Sequence, residues 1–151
     1  MHLPISDKIE LNILHQNSHQ AEKNKVKFNN HNLLCLNIMS SPGAGKTRLL
    51  EITLEDLSKK FQSAVLEGDM TTNLDAIRLE KLNIPVVPIT TGRACHLDAN
   101  MVNGGLKLLE KKINPDLLDI LLVENVGNLV CPAEFEIGEH FKVALLSITE
   151  G

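Results

Sequence analysis

Leu33-Leu34-Cys35-Leu36-Asn37-Ile38-Met39-Ser40-Ser41-Pro42-Gly43-Ala44-Gly45-Lys46-Thr47 decides how the rest of the chain reads. The first seven residues are an apolar run of strand length. A glycine-rich turn follows, and beyond it Leu50, Leu54, Leu57 and Phe61 recur at helical spacing. Strand, glycine turn and amphipathic helix in that order build a phosphate cradle. The turn's backbone N–H groups add to the unpaired donors of the helix's first turn. Gly43 and Gly45 allow a close backbone approach that a side chain would obstruct. Lys46 sets a point charge on the terminal phosphates, and the Thr47 hydroxyl is placed to ligate Mg²⁺. Ala44 and Arg48 complete the expected nucleotide contacts. The stretch matches the Walker A pattern except at its first position, where Ser40 stands for Gly. It predicts binding of a nucleoside triphosphate.

Downstream, Ala64-Val65-Leu66, Val86-Val87-Pro88-Ile89-Thr90, Leu118 to Val123 and Val143 to Ile148 read as further strands. Stretches around Leu74 to Leu82 and Asp98 to Lys112 read as helices. Pro88 cannot donate to a ladder, which puts its strand near an end or at an edge. Alternating strands and helices imply an α/β fold of the P-loop NTPase class, a mostly parallel sheet with helices on both faces. Residues 1–32 differ in composition, with His2, His15, His19 and His31 among Asn24, Asn29, Asn30 and Asn32. They predict an N-terminal helical arm, capped by Ser6 or Asp7, with Ile9, Ile13 and Leu14 on one face and a stripe that fades beyond Ala21. The arm's histidines form no tight cluster and read as solvated rather than as a metal site. The P-loop domain then takes residues 33–151.

A phosphate loop needs acids from neighbouring strand ends, because Mg²⁺ must be balanced and a water positioned. Asp69 follows the second strand and Asp75 comes one short loop later. Glu124 follows Ile120-Leu121-Leu122-Val123 at the place of a Walker B acid. Cys95-His96 precedes a predicted helix, and Cys131 follows the Glu124 strand by one loop. In a parallel sheet both loops leave from strand ends, so the three side chains can converge. Two thiolates and an imidazole suit Ni²⁺ or Zn²⁺, although the spacing alone is no standard finger pattern. Cys35, inside the first strand, reads as core.

Composition closes off other classes. The chain has 151 residues, a net charge of -4 and 3% aromatics, all of them Phe. No positive field holds a nucleic acid or an anionic membrane, and little is present for bases to stack on. Three cysteines do not make a disulfide framework. There is no secretory signal pattern and no run long enough to span a bilayer, so a soluble cytoplasmic protein is expected.

Three segments together resemble one family: Ser40 to Leu50, Thr91 to Met101 (Thr-Gly-Arg-Ala-Cys-His-Leu-Asp-Ala-Asn-Met), and Leu122 to Pro132 (Leu-Val-Glu-Asn-Val-Gly-Asn-Leu-Val-Cys-Pro). The chain is similar to the HypB family, the nickel-insertion GTPases of nickel–iron hydrogenase maturation. The related urease nickel GTPases carry a Cys-Pro-His segment, absent here. The resemblance implies GTP with Mg²⁺ as cofactors and a homodimer formed through the metal-site face. It places Ni²⁺ or Zn²⁺ on Cys95, His96 and Cys131 at the subunit interface. It also implies other nickel hydrogenase maturation proteins and the hydrogenase large subunit as partners. Ser40 in the loop's first position is usual in the family.

On this reading Lys46, Asp69 and Glu124 serve hydrolysis, while Thr47, Asp69, Asp75 and Glu124 surround Mg²⁺ directly or through water. Arg48 and Arg93 lie near the right loops, but nothing stands out as a strong general base or arginine finger, so slow hydrolysis is expected. Movement of the loop after Glu124 in response to the γ-phosphate is expected to alter metal affinity at Cys131. Two departures stand out. No cysteine precedes Cys35, so the Cys-rich nickel motif of some members is missing. No Asn-Lys-x-Asp occurs, so the GTPase domain is expected to be truncated before its guanine-recognition motif, with guanine preference carried by the resemblance alone. The alternative is a truncated metal-binding or dimerisation module without productive hydrolysis. A small P-loop kinase is disfavoured, because no Arg-rich lid lies between Asp69 and Glu124.

Overall fold

The computed structural model describes residues 4–68 and 74–148, and of 74–76 the backbone only. Strands β1 (Leu34–Ser40), β2 (Ser63–Glu67), β3 (Val86–Pro88), β4 (Ile120–Glu124) and β5 (Phe141–Leu145) form one sheet in the order β3-β2-β4-β1-β5. Every neighbouring pair is parallel. Helices α1 (Ile5–Asn30), α2 (Lys46–Leu57), α3 (Leu74–Glu80), α4 (Ala99–Glu110) and the short α5 (Cys131–Glu134) complete the chain.

The strands' continuous apolar runs are divided between two faces by the two-residue period of a strand. Ala64, Leu66, Leu121 and Val123 pack with Phe28 of α1 and with Val102, Leu106 and Leu109 of α4. Val65, Ile120 and Leu122 pack with Leu50 and Leu54 of α2 and Leu79 of α3. Helices therefore cover both faces, as the alternation of elements implies. Among the described residues, no helix is long and apolar enough to cross a membrane.

Four local expectations change. α1 begins one residue before Ser6, with Pro4 at the N-cap and no side-chain cap bond. Ser6 and Asp7 thus lie inside the first turn, where Asp7 faces the positive end of the helix dipole. Nor does the helix lose its hold beyond Ala21: Ala21, Asn24 and Phe28 are its buried residues, while Ile5, Ile9, Leu11 and Ile13 are exposed. The hold is polar. Asn17 donates to Glu136 O at 2.7 Å and accepts from Ala99 N at 2.9 Å. Asn24 donates to Ala99 O at 2.8 Å and to Ile137 O at 3.0 Å. His140 Nε2 meets Asn29 Oδ1 at 2.7 Å.

The last strand also differs from the buried segment expected at Val143 to Ile148. β5 starts two residues earlier and lies at the sheet edge, paired with β1 alone, so Phe141 and Val143 remain exposed. His140 fixes its start: its backbone N donates to Cys35 O at 2.9 Å, and its Nδ1 accepts from Cys35 N at 3.0 Å. Phe61 lies past the end of α2 and is exposed. Pro88 does end β3, which is the other edge strand.

Because all strands run the same way, the segments leaving β1, β2, β3 and β4 gather at one edge of the sheet. That edge is where open α/β sheets bind ligands.

Candidate nucleotide and metal site

The loop between β1 and α2 is built as its glycines predict. Gly43 has φ +73° and Gly45 φ +89°, and a Cβ added at either would meet nothing within 4 Å. The cradle is therefore open where a polyphosphate would lie, and left-handed backbone keeps it so. Lys46 and Thr47 open α2 and are buried. Lys46 Nζ donates to Ser40 Oγ at 2.9 Å, and Ser40 Oγ donates to Ser41 O at 2.8 Å. The serine that replaces the motif's first glycine thus steadies the ammonium group.

Thr47 Oγ1 donates to Glu124 Oε1 at 2.9 Å. Glu124 is fully buried at the end of β4, and its Oε2 has no hydrogen-bond partner among the described residues. A buried carboxylate oxygen left over beside a Walker A threonine is a place for a cation or its water, since such a group otherwise costs free energy. The donor set fits Mg²⁺ with a nucleotide. Arg48 points elsewhere: its side chain is largely exposed and pairs with Glu51 at 3.2 Å. Arg78 also binds Glu51, at 2.6 Å, and these guanidinium groups hold the Glu51 carboxyl below its ordinary range. Arg93 is exposed. Asp69 lies outside the described residues, and Asp75 falls in α3 with its side chain outside them.

Glu67 is a buried acid at this edge that the Walker motifs do not mark. It ends β2, is 2% exposed, and stands in register with Glu124 on the adjacent strand. The signal was its place at a strand end next to Gly68-Asp69, overshadowed by the aspartate.

Cys95, His96 and Cys131 come together, their ligand atoms all within 4.8 Å of one another. Among the described residues this is the one such group, and it includes none of the arm's histidines. Cys95 Sγ lies 2.7 Å from Cys131 Sγ and 3.6 Å from His96 Nδ1. Asn128 donates to Cys95 O at 3.3 Å and its Oδ1 accepts from Val130 N at 2.9 Å, tying the two loops together. Asp98 caps α4 by accepting from Met101 N at 2.8 Å. His96 stacks on Phe135 with ring centroids 4.0 Å apart.

The thiol contact with Cys131 pushes the Cys95 thiol above its ordinary range, with burial adding to it. Partial burial holds His96 below the usual imidazole value, against the opposing pull of the Asp98 carboxylate. The imidazole is thus disposed to be neutral, the form that ligates a metal. Cys35 is fully buried, and desolvation pushes its thiol far up, as suits a core residue.

The two clusters touch through one turn. Gly127, in the segment from Glu124 to Cys131, lies so close to the phosphate loop that a Cβ there would sit 3.1 Å from Pro42 Cα.

With a phosphate-type loop on β1, its acid on the neighbouring strand and all strands parallel, the chain has the architecture of the P-loop NTPases. Comparison with known proteins narrows the class. Residues 34–146 match the family described as CobW/HypB/UreG, nucleotide-binding domain, and the chain belongs to that family. It is 48% identical over 145 residues to the hydrogenase maturation factor HypB of Azotobacter vinelandii, covering 95% of this chain and 46% of that protein. It is 40% identical over 151 residues to the probable hydrogenase maturation factor HypB of Methanocaldococcus jannaschii, covering 100% of this chain and 66% of that one. Among solved structures, HypB from Helicobacter pylori in complex with nickel superposes with a TM-score of 0.84 at 45% identity, over 90% of this chain and 62% of that one. The maturation factor HypB of Archaeoglobus fulgidus gives 0.80 at 37% identity, over 91% and 64%. The chain spans about half the length of the first curated relatives it matches.

Proposed function

We propose that this chain is a GTP-binding and GTP-hydrolysing nickel metallochaperone of nickel–iron hydrogenase maturation, acting in the cytoplasm as a homodimer joined through its metal-site face. Nucleotide state is coupled to metal binding and release. The observation that carries the reading is the meeting of a phosphate cradle and a Cys–His–Cys triad on one edge of one sheet. The family and the nickel-bound relative support it.

Lys46 and the loop amides, with Gly43, Ala44 and Gly45, bind the β- and γ-phosphates. Thr47 and Glu124, with Asp69 and Asp75, would hold Mg²⁺. When bound, that ion neutralises phosphate charge and polarises the transferred group. Glu124, buried and already bonded to Thr47, orients the attacking water through its second oxygen. Arg48 is engaged with Glu51 and supplies no arginine finger to the cradle, so hydrolysis is slow.

Nickel is the cargo rather than a cofactor of the hydrolysis. Cys95, His96 and Cys131 take it as two thiolates and an imidazole, and the same donors accept Zn²⁺. Other maturation proteins supply it and the hydrogenase large subunit receives it. Guanine is assigned from the family resemblance, since the sequence contains no Asn-Lys-x-Asp.

Phosphate release from GTP by the full chain, compared with Lys46→Ala, tests the proposal. Loss of turnover in the mutant is expected, and unchanged release refutes it. The second reading, a metal-binding or dimerisation module without productive hydrolysis, is supported by the Cys–His–Cys triad. Calorimetry with GTP, ATP and Ni²⁺ separates the two: the module takes up Ni²⁺ with weak, unselective nucleotide affinity.

A further inference from the structure

We propose that Leu97, held by Asn125 and seated on Gly68, is the positioning residue that carries nucleotide state to the metal triad. The proposal rests on the functional reading above and names the part of the chain that does the coupling.

Leu97 directly follows His96. Its backbone N donates to Asn125 Oδ1 at 3.0 Å. Asn125 directly follows Glu124, is fully buried, and is itself fixed on β1: its Nδ2 donates to Asn37 Oδ1 at 3.1 Å and its backbone N to Ile38 O at 2.9 Å. The cysteine–histidine segment is thereby hung from the residue next to the Walker B acid.

The Leu97 side chain faces a third segment. It is fully buried, and a Cβ built on Gly68 would lie 2.5, 2.7 and 2.9 Å from three of its atoms. Gly68 has no left-handed φ, so the site uses its missing side chain rather than its backbone freedom. Gly68 N donates to Glu124 O at 2.8 Å, and Gly68 immediately precedes Asp69. The segment leading to the Mg²⁺ acids, the Walker B strand and the metal loop thus close on one leucine.

Close-packed interiors do not deform continuously. A shift of Gly68 towards a bound nucleotide either displaces Leu97 or opens a void beside it. Displacement moves His96, the residue before it, against Cys131. The hydrogen bond from Asn125 keeps the Leu97 backbone attached to β4 while this happens, so motion is directed at the side-chain ligands instead of dissipating along the loop.

The test uses the full chain. Ni²⁺ affinity is measured against a chromogenic chelator, without nucleotide and with Mg²⁺ plus a non-hydrolysable GTP analogue. Nucleotide affinity is measured separately with a fluorescent analogue. In the unchanged chain the two Ni²⁺ affinities should differ by about fivefold or more, the lower end of ordinary coupling between sites. Leu97→Ala should bring that ratio to within about twofold of one while each separate affinity stays within about threefold. Gly68→Ala should change Ni²⁺ affinity with no nucleotide present, and Gly68→Ala combined with Leu97→Ala should return it to the Leu97→Ala value. The rescue reports the contact itself; loss of the nucleotide-dependent ratio with both separate affinities kept is what a residue with a merely structural role would not show.

If Leu97→Ala does not fold, Leu97→Val takes its place with the same expectation. A ratio unchanged in the leucine variant, or a Gly68→Ala effect that Leu97→Ala does not relieve, overturns the proposal alone. No nucleotide binding, or a ratio of one in the unchanged chain, overturns the functional reading and this inference together, before any variant is made.

Discussion

Asn24→Ala tests whether α1 is part of the domain or an arm attached to it. Asn24 is 1% exposed, and its amide group donates to Ala99 O and Ile137 O. Removing it leaves two buried carbonyl oxygens without those donors. A buried polar group left unsatisfied costs roughly 1–3 kcal/mol, and Ala99 O keeps its bond within α4, so the variant should lose about 1–3 kcal/mol through Ile137 O. Against the usual 5–15 kcal/mol of a domain that is a large share. Urea unfolding followed by circular dichroism at about 222 nm should show the midpoint falling by about 1 M, with an unchanged slope. Asn17→Ala is the control. Its bonds to Glu136 and Ala99 are closer to solvent, so water replaces them and the cost stays near 1 kcal/mol or below. A loss for Asn24→Ala within about 0.5 kcal/mol of zero would refute the buried anchor. So would an earlier, separate loss of helical signal in the unchanged chain, which would make α1 an independent arm over residues 1–32.

Two further outcomes follow from the site. Metal uptake requires each ligand thiol to give up its proton, and the Cys95 thiol is held above its ordinary range, so Ni²⁺ affinity should rise with pH. The logarithm of affinity should approach a slope of about two near neutrality. Because His96 is held below its usual value, a third proton competes only under acidic conditions, where the slope steepens. Affinity independent of pH between about 6 and 8, in a chelator competition, would rule out the thiols as ligands. Gly127→Ala would put a methyl 3.1 Å from Pro42 Cα, so the phosphate loop must shift by a few tenths of an ångström to admit it. Overpacking of this kind costs about 1–3 kcal/mol, so affinity for a fluorescent GTP analogue should fall about tenfold, and an unchanged value would disprove the contact.

What could be read from the sequence depended on how far apart the cooperating residues lie. The phosphate loop is contiguous and its glycines have a local conformational task, so strand, turn and helix were all legible from Leu33 to Leu57. Cys95 and Cys131 are 36 residues apart, and only the sheet order, which brings the ends of β3 and β4 to one edge, makes them neighbours. Spacing alone gave a weak signal there, and the family resemblance supplied the rest. The docking of α1 was illegible for a different reason. Hydrophobic periodicity registers apolar stripes, whereas Asn17, Asn24 and Asn29 hold the helix through backbone carbonyls, a backbone N–H and a histidine ring. β5 was placed too late because an edge strand needs no buried face. Its start is set by the His140 bracket on Cys35, which no local pattern announces.

The asparagine anchors also have a consequence for how the protein is made. Asn24 waits for Ile137, 113 residues later in the chain, and Asn17 for Glu136, 119 residues later. At ribosomal speeds of about 5–20 residues per second, α1 therefore leaves the exit tunnel roughly 5–25 seconds before its last partners exist. During that interval its amide-rich face has nothing of its own chain's 136–140 segment to settle on. The helix is therefore made long before the carbonyl anchors at Glu136 and Ile137 that fix it.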